Sequence, residues 1–225
     1  LAYIVAGTEL ALDGIQTRDI AFEGLRVVAA ERALPRHLLH DHILGFSMDL
    51  EGWRPETEQD LLDYCYRVAG VVGCLMALVM GVAPGDEETL DRASDLGIAF
   101  QLGNIARDII DDHSVGRCYL PEEWLRELEL SAANLAEHDN RDRLALAARR
   151  LARLSRRYEA SGRVGTRMGE ESLHQPSRQN RIGCQSLGGS ASECSRTLRS
   201  QRSLDEAANC LKSLRCAKDA AIPRR

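Results

Sequence analysis

Aromatic residues make up only 4% of this 225-residue chain, and lysine occurs only at Lys212 and Lys218. Few aromatics beside abundant leucine and alanine favour helix over sheet. No segment carries a convincing period-two alternation, so strands are not expected. No apolar run reaches the length of a bilayer span; the longest, "VAGVVGCLMALVMGVA" at 68–83, is a little short and is interrupted by Gly70, Gly73 and Gly81. The opening "LAYIVAGTELALDG" lacks a basic start and makes a poor secretory signal, and Leu1 in place of Met suggests a piece of a longer chain. Twenty-nine basic residues face 34 acidic ones, a net charge of −5, so no nucleic-acid partner is expected. No two of the seven cysteines have CxxC spacing. They read as reduced thiols of a cytoplasmic protein, with Cys65, Cys74 and Cys118 as small core residues.

What is present is helical punctuation. Helices are expected over 17–33, from Pro35 through "RHLLHDHILGFSMDL", over 58–82 with Thr57 as N-cap, over 88–112, briefly after Pro121, and over 138–160. Gly70 and Gly73 give the 58–82 helix a central, closely packed position. Residues 171–225 differ: they contain no Val, Met, Phe, Tyr or Trp. Their ten basic and five acidic residues give +5, leaving −10 for the rest. Such a segment buries little apolar surface and is expected to be disordered or translated out of frame, although "SLDEAANCLKSLRCAKDAA" has the composition of an isolated helix.

The unusual stretch is "QLGNIARDIIDDHSVGRCYLPEEWL", residues 101–125. At about 100° per residue, Gln101, Asn104, Asp108 and Asp112 fall within about 80° of arc, beside an apolar arc of Leu102, Ile105 and Ile109. Carboxylates one turn apart at a core edge repel unless a cation lies between them. Oxygen donors without histidine or cysteine suit a hard ion, Mg²⁺ first and Mn²⁺ as the alternative. Mg²⁺ commonly joins a few carboxylates to phosphate, so a metal-bridged diphosphate follows, gripped by Arg107 and Arg117. The same spacing also suits a solvated helix end, and DxxxD alone does not discriminate. His37, His40 and His42 lie close together but read as surface or core-edge residues. Asp49 reads as a local cap or pair.

"FQLGNIARDIIDDHSVGRCYLP" resembles the second aspartate-rich signature of the squalene and phytoene synthase family. "MDLEGWRPETEQDLLDYCYRVAGVVG" resembles its other signature in the bacterial phytoene synthase form. The resemblance implies an all-α isoprenoid-synthase-type bundle with a central cavity, incomplete at both ends. Residues 1–165 would be a partial head-to-head trans-isoprenyl diphosphate synthase domain, and 166–225 the Ser/Arg-rich tail. It implies Mg²⁺-dependent condensation of two geranylgeranyl diphosphates through a cyclopropyl intermediate, in carotenoid synthesis. By the same resemblance Asn104, Asp108 and Asp112 hold a divalent ion at the rim of an apolar hollow. Gln101 and Arg107 contact diphosphate, Tyr64 lines the cavity near the reacting carbons, and Tyr119 stands beside the site. Tyr64, Asp108 and Asp112 are the expected catalytic set.

The family's first aspartate-rich motif is not found: Asp13 is alone, Asp41 sits among histidines, and the usual helices before residue 15 are missing or altered. Little synthase activity is therefore expected of this chain. Squalene or dehydrosqualene synthesis from farnesyl diphosphate, or a non-catalytic helical scaffold, are the alternatives. The arginine-rich 141–161 helix adds contact with an anionic membrane surface as a further expectation, against a solvated bundle face.

Overall fold

The computed structural model describes residues 1–173, with side chains through 164. The described residues belong to one unit, Leu1–His174, and the expected tail beyond it lies outside the described residues. Eight α-helices run in order: α1 Ala2–Leu12, α2 Ile20–Arg32, α3 Arg36–Leu50, α4 Glu58–Cys65, α5 Val71–Val79, α6 Glu87–Ser114, α7 Glu122–Glu127 and α8 Arg141–Leu173. No strand occurs among the described residues, as the missing alternation led us to expect.

Local chemistry sets most of the boundaries. Asp19 caps α2 by accepting from the Ala21 N–H at 2.8 Å. Thr57 and Asp60 form a reciprocal capping box at the start of α4. Asp86 caps α6, and Glu87 and Glu88 in its first turn oppose the helix dipole. At the other end of α6, Gly116 adopts φ +79°, and the Arg117 N–H closes back on the Asp112 carbonyl at 2.9 Å. The chain then turns, and residues 117–120 lie beside the last turns of α6.

Three departures from expectation have physical causes. The Ala2–Leu12 helix was not anticipated, because its apolar residues are spread around the axis and leave no 3.6-residue stripe to detect. It packs on α2, with Gly7 against Phe22. The expected 58–82 helix contains one π-helical turn, Tyr66–Gly70, between α4 and α5. Its i→i+5 bonding inserts an extra residue per turn, which amino-acid periodicity does not reveal. Finally, Glu58–Val79 is long and apolar enough by length and composition to cross a membrane, contrary to the shorter run read from sequence. In the fold, 44% of its apolar window is buried, and Leu61, Leu62, Tyr64, Cys65, Val71, Cys74 and Leu78 of the segment belong to the core clusters.

α6 is the centre of the bundle, packed by α8, α5 and the π-turn. Leu102, Ile105 and Ile109 of α6 meet Leu61, Leu62, Tyr64 and Cys65 of α4 and Ala147, Leu151 and Leu154 of α8 in the main core. The α8 residues recur at i, i+4, i+7, the apolar stripe of an amphipathic helix. α6 can approach the π-turn and α5 so closely because glycine stands on both sides. A Cβ on Gly97 would lie 2.7 Å from the Ala69 carbonyl carbon, and one on Gly73 would lie 2.8 Å from that of Ala93. The central position inferred from Gly70 and Gly73 is thus realised by backbone-to-backbone contact.

Candidate functional site

The α6 stripe emerges at the edge of this core. Asp108 is buried at 9% exposure, Gln101, Asn104 and Asp112 are half-buried, and Arg107 and Arg117 are exposed. Arg107 grips Asp108 with Nε to Oδ1 at 2.7 Å and a terminal nitrogen to Oδ2 at 2.8 Å. That bond, with the nearby charges of Asp111 and Asp112, holds the guanidinium pKa above its ordinary value. The stripe is therefore strongly anionic, with Arg107 as a cationic counterweight.

Residues 117–120 and the end of α6 border a small, partly open cleft with a cavity volume of about 10 Å³. Ile105, Ile109, Cys118, Leu120 and Leu135 give it apolar walls, and Asp112, Arg117 and Tyr119 its polar ones. The structure thus brings Asp112, Arg117 and Tyr119 together around one opening. Asn104 and Gln101 stand about two and three turns before Asp112 on α6, and they, Arg107 and Asp108 lie outside the cleft lining.

Tyr64 is not among the cleft's lining residues. It is 2% exposed, enclosed between α3 and the 117–120 segment. Its ring stacks on Trp53 at 5.4 Å and on Tyr119 at 5.0 Å, with interplanar angles of 20° and 19°. Both phenols donate to the same carboxylate oxygen, Asp49 Oδ1, from Tyr64 at 2.8 Å and from Tyr119 at 2.9 Å. The sequence reading missed this: Asp49 joins partners 15 and 70 residues away rather than capping locally. A signal was available, since Asp41, Gly45 and Asp49 repeat every four residues along α3. Gly45 is where α3 crosses the π-turn, with a Cβ there only 2.8 Å from Val68. The carboxylates on either side then reach the π-turn and α4: Asp41 pairs with Arg67 at 3.1 Å, and Asp49 with Tyr64.

Burial raises the Tyr119 pKa to about 12, and the Asp49 charge adds to the effect. Burial and then Asp49 push Tyr64 up as well. Raised phenol pKa values mean that the folded state keeps protons which the unfolded chain releases near its ordinary value of about 10. Folding stability from this pair is full below about pH 10 and is lost as pH rises toward about 12. Urea unfolding should give a midpoint at pH 11 well below that at pH 8, with the buried thiols contributing to the loss from about pH 8.5 upward. Flat midpoints throughout would contradict the buried phenols.

The other sequence candidates are accounted for by local partners. Asp13 pairs with Arg36, and His40 with Glu9. The His42 ring contacts the Arg67 carbonyl oxygen at 3.1 Å. Cys65, Cys74 and Cys118 are buried free thiols whose pKa values burial raises, as expected of core cysteines. Among the described residues no three acidic, histidine or cysteine side chains converge on a metal-sized point. The α6 stripe instead offers two carboxylates and one carboxamide. Along the stripe Asn104 and Asp112 are separated by about 12 Å of helix rise, with Asp108 midway, so donors one turn apart are the nearest neighbours. Asn104 and Asp108, one turn apart, can share an ion. This oxygen-only set fits Mg²⁺ as an incomplete shell that water and phosphate oxygens complete.

Comparison with known proteins adds the lineage. The squalene/phytoene synthase family profile matches residues 4–204. The chain is 47% identical over 165 residues to phytoene synthase of Pseudescherichia vulneris, covering 73% of this chain and 53% of that one. It is 50% identical over 152 residues to 15-cis-phytoene synthase of Enterobacter agglomerans, covering 67% and 50%. Thus it spans about half the length of the curated relatives it matches. Among solved structures, a ligand-bound dehydrosqualene synthase superimposes with a TM-score of 0.64 at 29% identity, covering 72% of this chain and 57% of that one. Squalene synthase HpnC of Alicyclobacillus acidocaldarius gives 0.55 at 25% identity, covering 75% and 74%. The helical core, the paired signatures and these likenesses agree, and the chain belongs to the squalene/phytoene synthase family.

Proposed function

We propose that this chain carries the second aspartate-rich, diphosphate-binding side of a phytoene synthase-like head-to-head prenyl transferase, acting on geranylgeranyl diphosphate. The observation that carries the reading is the α6 stripe: a buried Asp108 and a half-buried Asn104 at the core edge, one and two turns before the half-buried Asp112 that lines an apolar cleft. Asn104 and Asp108 would hold the Mg²⁺ ion, or Mn²⁺ in its place, with Asp112 acting one turn further on. When bound, the ion supplies positive charge against the leaving diphosphate. Gln101 donates to diphosphate oxygens. Arg107, now on Asp108, and Arg117, at the cleft, are the guanidinium groups able to grip them. Ile105, Ile109, Leu120 and Leu135 exclude water from the carbon next to the broken bond.

Identity to phytoene synthases reaches 50%, against 29% for the dehydrosqualene synthase structure, which favours the longer substrate over farnesyl diphosphate. At about 10 Å³ the described cleft has room for about one water molecule and is far below the ~300–1,000 Å³ of typical ligand sites. It is too small for two C20 chains, and little phytoene is expected from this chain alone. The proposal includes a cytoplasmic setting, with Arg149, Arg153 and Arg156 exposed along α8 and available to an anionic bilayer surface.

Calorimetry with Mg²⁺ and geranylgeranyl thiodiphosphate tests the reading. Micromolar binding that disappears with EDTA is the expected result. A folded chain that binds neither with nor without Mg²⁺ would favour the non-catalytic scaffold instead.

A further inference from the structure

Tyr64 sits inside the ring stack, while Tyr119 stands at its end and lines the cleft. The aromatic side chain of the stack that borders the cleft is therefore Tyr119. Behind it the stack continues through Tyr64 to Trp53, and one oxygen of Asp49 accepts a hydrogen bond from each hydroxyl. A phenol that donates to a carboxylate becomes more electron-rich, which strengthens the attraction of its ring for a cation. The half-buried carboxylate also places negative charge within the aromatic cluster, where the low dielectric lengthens its reach. A neutral apolar ligand needs neither feature, whereas a positively charged carbon beside the diphosphate benefits from both.

We propose that Asp49 is a positioning residue which fixes and polarises Tyr119, through the shared bond with Tyr64, as the face that receives a cationic carbon in the cleft. This rests on the diphosphate-binding reading above. It adds a residue outside the aspartate-rich stripe and gives Tyr119 the cation-facing role, with Tyr64 as its enclosed support. Trp53 completes the support by limiting the tilt of Tyr64.

The test uses the full chain with Mg²⁺ and inorganic diphosphate present. Two probes are compared: N,N-dimethylgeranylamine, protonated at pH 7, and its neutral isostere with carbon in place of nitrogen. The wild-type chain should prefer the ammonium by about tenfold or more, given a desolvated cation–π contact. Asp49→Asn should bring the two affinities close to equality, and Asp49→Glu should restore part of the preference. A merely structural Asp49 would change both probes alike. If Asp49→Asn does not fold, by circular dichroism, Tyr119→Phe is read instead, and its preference should fall at least threefold. An unchanged preference in the folded variant overturns the proposal, as does a wild-type chain with no preference. If that chain still binds Mg²⁺ with geranylgeranyl thiodiphosphate, the proposed function survives this failure. If it binds neither ligand, both readings fall.

Discussion

Asp108→Asn should weaken Mg²⁺-dependent binding of geranylgeranyl thiodiphosphate by about a hundredfold, equivalent to about 2.7 kcal/mol. The carboxamide keeps the size and one oxygen of the side chain but removes the charge of the one buried aspartate of the stripe. The fold should survive. Arg107, the partner left behind, has a side chain 60% exposed to water, so the broken ion pair costs at most about 1 kcal/mol. Calorimetry measures the binding and a thermal melt the fold. Asp139→Asn, which also removes one charge but at a fully exposed side chain, is the control and should change the affinity less than twofold. Equal losses in the two variants would mean that the aspartates act as a diffuse negative field rather than as ligands, and the proposed site would have to be abandoned.

Gly97→Ala should be among the most damaging single-methyl changes for stability, with Gly73→Ala comparable. The new Cβ would meet Ala69 carbonyl atoms and the Gly70 Cα at 2.9 Å, all backbone of a neighbouring element. No rotamer relieves that contact, and α6 and the π-turn have to move apart through the middle of the core. Overpacking of this kind costs about 3 kcal/mol, or about 6–12 °C in melting temperature for a chain of this size. Gly24→Ala on α2 provides the contrast. Nothing lies within 4 Å of its Cβ, so helix propensity alone acts and the variant should melt at or above the wild-type temperature. Similar melts for the two variants would show that the glycine crossing is looser than described.

The alternation-free, leucine- and alanine-rich sequence determined the helical class, and capping residues set the starts of α2, α4 and α6. Thr57 with Asp60, Asp86, and Gly116 after α6 act through bonds to residues a few positions away, so they can be read without a fold. The α6 stripe was equally legible, because side chains four residues apart on one helix are neighbours wherever the helix lies. Sequence also carried the family, through two strings of local pattern. Other features depend on approach between distant segments. Asp49 could be identified as the common acceptor of two tyrosines only once α3, α4 and the 117–120 segment were packed together. The π-turn that redirects the "YCYRVAG" segment depends on backbone bonding, to which composition is blind. Tertiary structure likewise decided that Tyr64 is enclosed while Tyr119 faces the cleft. A side chain's exposure belongs to everything packed around it, whereas its position on a helix belongs to the chain itself.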